Sequence, residues 1–173
     1  MKPNAELFSV DGFRDEKQAV EDLRRRVVMS GLFKIYDEVQ GKSAGLWHIQ
    51  TQRRIDMVLV PTAKAVDAGW NQGFVGVEIK RSGKPIDETM HQAITYMDAV
   101  WTIGEWKGLV VLSSVFIWPF YWPAKNHSLC SMLQHARIGV IEPTTRDGFR
   151  MMRKEGTPML SWTPQTGLKT VLD

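Results

Sequence analysis

Three short runs rich in β-branched and aromatic residues constrain this chain more than any other feature. LFKIYDEV (32–39), RRIDMVLV (53–60) and FVGVEIK (74–80) are separated by Gly-, Ser- and Pro-containing turns. They predict three consecutive strands, and LWHIQ (46–50) is a candidate extension of the second. Before them, residues 15–30 carry Ala19, Val20, Leu23 and Val27 at helical spacing, with Gly31 as a stop signal. After them the helical pattern returns from Ile86 to Ile103, and Gly104 ends it before the apolar run GLVVLSSVF. A further helix is expected over 128–136, and IGVIEP (138–143) reads as the last strand. The order α, three β, α, β, α, β predicts an α/β fold, a mixed central β-sheet flanked by helices.

A chain of 173 residues without repeats or a dividing linker is expected to form one domain over 1–173. The net charge of +3 permits a polyanionic partner without demanding one. The single cysteine, Cys130, excludes an internal disulfide framework and a cysteine-based zinc cluster, and suits a reducing, cytoplasmic compartment. The first residues, MKPNAELFSVDGFRDEK, have no apolar signal region, and no stretch is long enough to cross a bilayer, so no membrane partner is expected.

The run VGVEIKRSGKP raises the chemical question: an apolar strand carries Glu78 and Lys80 two residues apart. Residues at that spacing share a face, so Glu78 and Lys80 fall with Gly76, while Val75, Val77 and Ile79 take the other face. One face is then core and the other chemistry. An ion pair at an edge strand is the bland alternative. The preceding run supplies Asp56, and antiparallel pairing of the two strands brings it beside Glu78 and Lys80. Two carboxylates and an ammonium would converge, and carboxylate oxygens are the hard ligands that Mg²⁺ or Mn²⁺ prefers.

Asp56, a turn and then Glu78-Ile79-Lys80 resemble the PD-(D/E)XK nuclease superfamily, although Ile55 stands where its first motif has proline. In ETMHQAITYM, Gln92 and Tyr96 lie four residues apart on one helical face, similar to the QxxxY motif of recombination helicase-nuclease domains. EKQAVEDL resembles the first helix of archaeal Holliday-junction resolvases, which makes Glu16 the candidate helix acid, with Glu21 competing for the role. The resemblance implies a restriction-endonuclease-like αβββαβ core and a metal-dependent deoxyribonuclease acting on DNA. It implies that Asp56, Glu78, the Ile79 carbonyl and Glu16 hold Mg²⁺ or Mn²⁺. Lys80 would assist the attacking water, and Gln92 and Tyr96 would support Lys80 and the scissile phosphate. The rival expectation is a catalytically inactive DNA-binding or assembly protein that retains the fold.

Other features carry weaker expectations. Asp67 lies in the turn-like TAKAVDAGWNQG and reads as a solvated loop residue. FIWPFYWP (116–123) is unsuited to a regular helix or central strand; it reads as satellite core or a homodimer contact, or as a base-stacking platform. Arg24, Arg25 and Arg26 are expected to fan over the outer face of the first helix. With Arg146, Arg150, Arg153 and Lys154, they form two groups able to grip phosphates or simply to face water. His91 adjoins the proposed site, and the other histidines read as structural.

Overall fold

The computed structural model describes residues 15–43, 52–79, 96, 99–102, 110–119, 137–154 and 157–170. Helix α1, Glu16–Ser30, begins where the Asp15 side chain accepts a hydrogen bond from the Gln18 amide at 2.8 Å. Its buried positions, Ala19, Leu23, Arg26, Val27 and Ser30, repeat at helical spacing and press onto the sheet. Gly31 ends it in the left-handed region at φ 69°, which glycine adopts without a Cβ penalty.

The three expected strands follow as β1 (Phe33–Ser43), β2 (Gln52–Pro61) and β3 (Val75–Ile79), paired as an antiparallel meander. Strand β6 (Ser114–Trp118) then lies parallel to β3, and β7 (Ile138–Pro143) lies parallel to β6. The class is therefore α/β with a mixed sheet. Short strands β4 (Ala99–Thr102) and β5 (Val110–Val111) extend the β1 side. On the other side β8 (Phe149–Lys154), β9 (Thr157–Thr163) and β10 (Gly167–Thr170) continue antiparallel from β7. The ten strands run in the order β10-β9-β8-β7-β6-β3-β2-β1-β4-β5.

Several expectations are corrected. The helix expected to reach Ile103 does not: Ala99–Thr102 is a strand hydrogen-bonded to β1. GLVVLSSVF is two strands rather than one, β5 at the edge of the sheet and β6 at its centre. Ile138–Pro143 is a strand but not the last. Phe116, Ile117 and Trp118 belong to a central strand and are buried, so these aromatics are neither a stacking platform nor a surface for a second copy. The turn-like segment before β3 holds a short helix, α2 (Ala63–Asp67), although Asp67 is exposed as expected. Residues 46–50 and 128–136 and all four histidines lie outside the described residues. Among the described residues no helix is long and apolar enough to cross a membrane.

Buried residues form two clusters, one on each face of the sheet. The first joins the α1 stripe to Met57, Leu59, Val75, Val77, Ile79 and Trp118. The second contains Val39, Ile55, Val58, Tyr96, Trp101 and Val115. Strand alternation should send Ile55 to the side of Met57 and Leu59, yet it joins the side of Val58. On the partner strand Val39 and half-buried Tyr36 likewise share the second cluster despite their odd spacing. The ladder passes from Asp37↔Met57 to Val39↔Ile55, stepping over Glu38 and Asp56. The end of the β1–β2 hairpin thus reverses its faces at Asp56 and curls over the second cluster.

Candidate active site

Asp56 sits at that reversal, half-buried, where the β2–β3 ladder also ends. Pairing runs through Leu59↔Val75, Val58↔Gly76 and Met57↔Val77. Beyond it, the Asp56 Oδ2 accepts the Ile79 amide at 2.8 Å. A side-chain oxygen takes over where the backbone carbonyls of β2 turn away, and the carboxylate is pinned against the Glu78–Ile79 peptide. The proximity of Asp56 to Glu78 expected from antiparallel pairing is present.

Glu78 is 4% exposed, and its Oε2 is shut off from solvent. All five residues of β3 are buried, which corrects the expectation of one core face and one face given to chemistry. Gly76 shows how closely the second face is covered. A Cβ there would lie 2.4 Å from Ile55 Cδ1 and 2.7 Å from Leu112 Cδ1, both well inside contact distance. The reversal at Asp56 swings Ile55 over β3, and only glycine leaves room for it.

Tyr96 is helical, buried in the second cluster, and edge-on to Trp101 with ring centroids 5.5 Å apart. Its carbonyl accepts the Trp101 indole N–H at 3.2 Å. Trp101 in turn pairs with Gly41 on the hairpin, so Tyr96 is braced against the same arm that reverses at Asp56. Lys80 and Gln92 lie outside the described residues.

Glu16 and Glu21 are both exposed. The Trp118 indole donates to the Ala19 carbonyl at 2.9 Å, and Trp118 pairs with Ile79. The first turn of α1, with Glu16, therefore lies toward the same end of the sheet as Glu78. Helix α1 packs on the face taken by Val75, Val77 and Ile79, however, and Glu78 follows Gly76 onto the other. A meeting of Glu16 with Glu78 would be around the end of β3, not across a shared face.

The arginine triplet is corrected outright. Arg26 is fully buried, its Nε bonded to Asp22 at 2.7 Å, one amino group to the Thr145 carbonyl at 2.6 Å and to the Gly148 carbonyl. Its guanidinium also lies 5.7 Å from the centre of the Trp118 ring. Arg24 pairs with Asp37, and Arg25 with Asp22 and Asp147. Burial opposes the Arg25 charge, but hydrogen bonds and attraction from the two aspartates outweigh it and hold its pKa above the usual arginine value. Arg150 is tied to Glu142. Arg25 and Arg26 fasten α1 to the β7–β8 turn, and Arg24 ties it to β1. One charged residue beside the site stands outside the motifs: Arg54, exposed and two positions before Asp56. The distribution of charge along the hairpin is the signal that points to it.

The donors that neighbouring strands offer a hard divalent cation are Asp56 and Glu78, on strands linked through the Ile79 amide, with the Ile79 carbonyl adjoining. Their chemistry fits Mg²⁺ or Mn²⁺. Among the described residues no group of three or more His, Cys, Asp or Glu side chains is arranged to hold an ion, so a complete shell needs water, substrate oxygens or further residues. No family model matches the chain, and neither a curated protein nor a solved structure matches it significantly.

Proposed function

We propose that this chain is a metal-dependent deoxyribonuclease of the PD-(D/E)XK kind, with a restriction-endonuclease-like core. The observation that carries the reading is the hydrogen bond from the Ile79 amide to Asp56 Oδ2. It ties the Asp56 carboxylate to the backbone next to Glu78, so that acids from two neighbouring strands stand where a hard cation would be held. The strand order supports the same core: a helix, a three-strand antiparallel meander, then a strand parallel to the third. Strands β4 and β5 and the β8–β10 meander would be additions to it.

Asp56, Glu78 and the Ile79 carbonyl would hold Mg²⁺ or Mn²⁺, with Glu16 completing the shell. The bound ion would polarise the phosphoryl group and lower the pKa of its water. Asp56 is oriented for this by its bond to the β3 backbone, and Glu78 by burial. Lys80 would orient the attacking water, while Gln92 and the braced Tyr96 would support Lys80 and the scissile phosphate. DNA is the partner on this reading, and a reducing cytoplasmic setting suits the lone Cys130.

The second reading, a DNA-binding or assembly protein without turnover, is favoured by one observation. Among the described residues no three His, Cys, Asp or Glu side chains gather to hold an ion. The deciding experiment incubates the protein with single-stranded, duplex and branched DNA, with Mg²⁺ or Mn²⁺ and with excess EDTA. Cleavage that needs the cation and disappears in Glu78→Gln is the expected result. Binding without cleavage under every condition selects the second reading, and cleavage undiminished by EDTA excludes the metal.

A further inference from the structure

We infer that Trp118 is a positioning residue: its indole N–H, bound to the Ala19 carbonyl, sets where α1 stops along the sheet and so where Glu16 stands relative to the cation site. This rests on the nuclease reading and adds to it the residue that places the helix acid. Glu16 lies three residues before Ala19 and seven before Leu23, so it continues the buried stripe of α1 by one further turn. It is exposed, whereas Ala19 and Leu23 are completely covered. Glu16 is thus on the face turned to the sheet, and its reach around the end of β3 depends on how far α1 extends along that sheet. Apolar packing is non-directional and leaves a helix free to slip by steps of about 1.5 Å per residue.

The indole supplies a directional constraint. A helical carbonyl accepts the amide four residues on with one lone pair, and at Ala19 the Trp118 Nε1–H takes the other at 2.9 Å. Trp118 is itself held fast. It is fully buried at the last position of β6, and the Arg26 guanidinium lies 5.7 Å from its ring centre. Its partner across the ladder is Ile79, whose amide the Asp56 carboxylate accepts. The helix acid and the strand acid are therefore both referred to the Ile79–Trp118 pair. The bonds of Arg24, Arg25 and Arg26, and that from Lys64 to the Ser30 carbonyl, secure residues 24–30 of the helix. The Trp118 bond acts on the half that carries Glu16. A misplacement of about 1 Å is enough to cost a reaction up to a hundredfold, so a fixed register matters to the chemistry.

The test compares the parent with Trp118→Phe, Glu16→Gln, the double variant of these two, Glu16→Asp and Arg26→Met. Mn²⁺ affinity without DNA is read from the paramagnetic resonance of the free ion, and cleavage from a labelled duplex at saturating DNA and Mn²⁺. Both are expressed per folded molecule. Trp118→Phe keeps an aromatic ring and deletes the N–H. It should weaken Mn²⁺ binding and slow cleavage severalfold, towards the level of Glu16→Gln, and the double variant should be no worse than Glu16→Gln alone. Arg26→Met, which cuts the tether at the other end of α1, should lose stability with both readouts unchanged. Parent-like affinity and rate in Trp118→Phe, or losses that multiply in the double variant, overturn the inference and leave the nuclease reading standing. Equal losses in Arg26→Met show a general loosening of α1 and overturn it too, as does full affinity and activity in Glu16→Gln. Should Trp118→Phe not fold, Glu16→Asp decides, because it draws an exposed carboxylate back by one methylene. A severalfold loss there supports a fixed register, and parent-like behaviour overturns it. A parent that neither binds Mn²⁺ nor cuts DNA overturns the nuclease reading itself.

Discussion

Arg26 and Glu78 are both buried charges, at 0% and 4% exposure, and their surroundings are opposite in kind. Arg26 is met by the carboxylate of Asp22, by two carbonyls of the β7–β8 turn and by the face of Trp118. Glu78 precedes Ile79, whose amide is bonded to the Asp56 carboxylate on the neighbouring strand, so an acid of the same sign stands one strand away. The first arrangement neutralises its charge with groups from within the fold, as stability requires of a buried ion. The second sets two acids on neighbouring strands, as a site for a hard cation would. Burial alone therefore does not mark a functional residue; the sign of its neighbours does.

Glu78→Gln gives the largest expected effect. It removes charge and keeps shape, so cation-dependent DNA cleavage should fall about a thousandfold or more, measured on a labelled oligonucleotide. The melting temperature should stay near the parent's, because the substitution keeps the shape and hydrogen-bonding atoms of the side chain. A clear loss of stability would put Glu78 in the same category as Arg26 and end the comparison.

Arg26→Met tests the other side. Removing Arg26 leaves Asp22 to Arg25 alone and takes the donor from the Thr145 and Gly148 carbonyls, at a cost of about 3 kcal/mol in urea unfolding. Cleavage per folded molecule should be unchanged. A stability loss within about 0.5 kcal/mol of the parent would show that the Arg26 bonds do not hold α1 down.

Cation binding sharpens the contrast without relying on turnover. At a hundred times its dissociation constant, Mg²⁺ or Mn²⁺ should stabilise the parent by about 2.7 kcal/mol. The corresponding rise in melting temperature should vanish in Asp56→Asn and persist in Arg26→Met after its lower baseline is subtracted. An equal rise in Asp56→Asn would place the ion elsewhere. The smallest effect concerns the helix acids. Glu16→Gln should slow cleavage about tenfold, and Glu21→Gln should leave it unchanged, with both melting temperatures near the parent's because both side chains are exposed. An inactive Glu21→Gln beside an active Glu16→Gln would reverse the assignment, and two fully active variants would remove α1 from the chemistry.

Whatever depends on neighbours along the chain is legible in the sequence. Alternating apolar residues give β1 to β3, the Ala19, Leu23 and Val27 spacing gives α1, and consecutive antiparallel strands put Asp56 near Glu78. Arg26 falls in the buried stripe, seven residues after Ala19 and three after Leu23, yet its charge argues for solvent. The carbonyls that satisfy it come from residues 145 and 148, far along the chain. Ala99–Thr102 is too short to show a period of its own within a helical pattern, and only pairing with Gln40 to Ser43 makes it a strand. The β8–β10 meander has no clear period, because adjacent methionines and a register shift at Met151 and Met152 blur its alternation. The reversal at Asp56 has no local signal, because the apolar alternation of Ile55, Met57 and Leu59 runs through it unbroken.

The link between Arg26 and Gly148 spans 122 positions of the chain. During synthesis at roughly 5–20 residues per second, α1 leaves the ribosome about 6–24 s before its partner turn exists. Through that interval the guanidinium must remain in water, and the helix can settle on the early strands only in an unlatched form. A late step of assembly is then the arrival of the β7–β8 turn, which closes over a helix made near the beginning. Slowing translation ahead of that turn would lengthen the unlatched period and leave the finished protein unchanged.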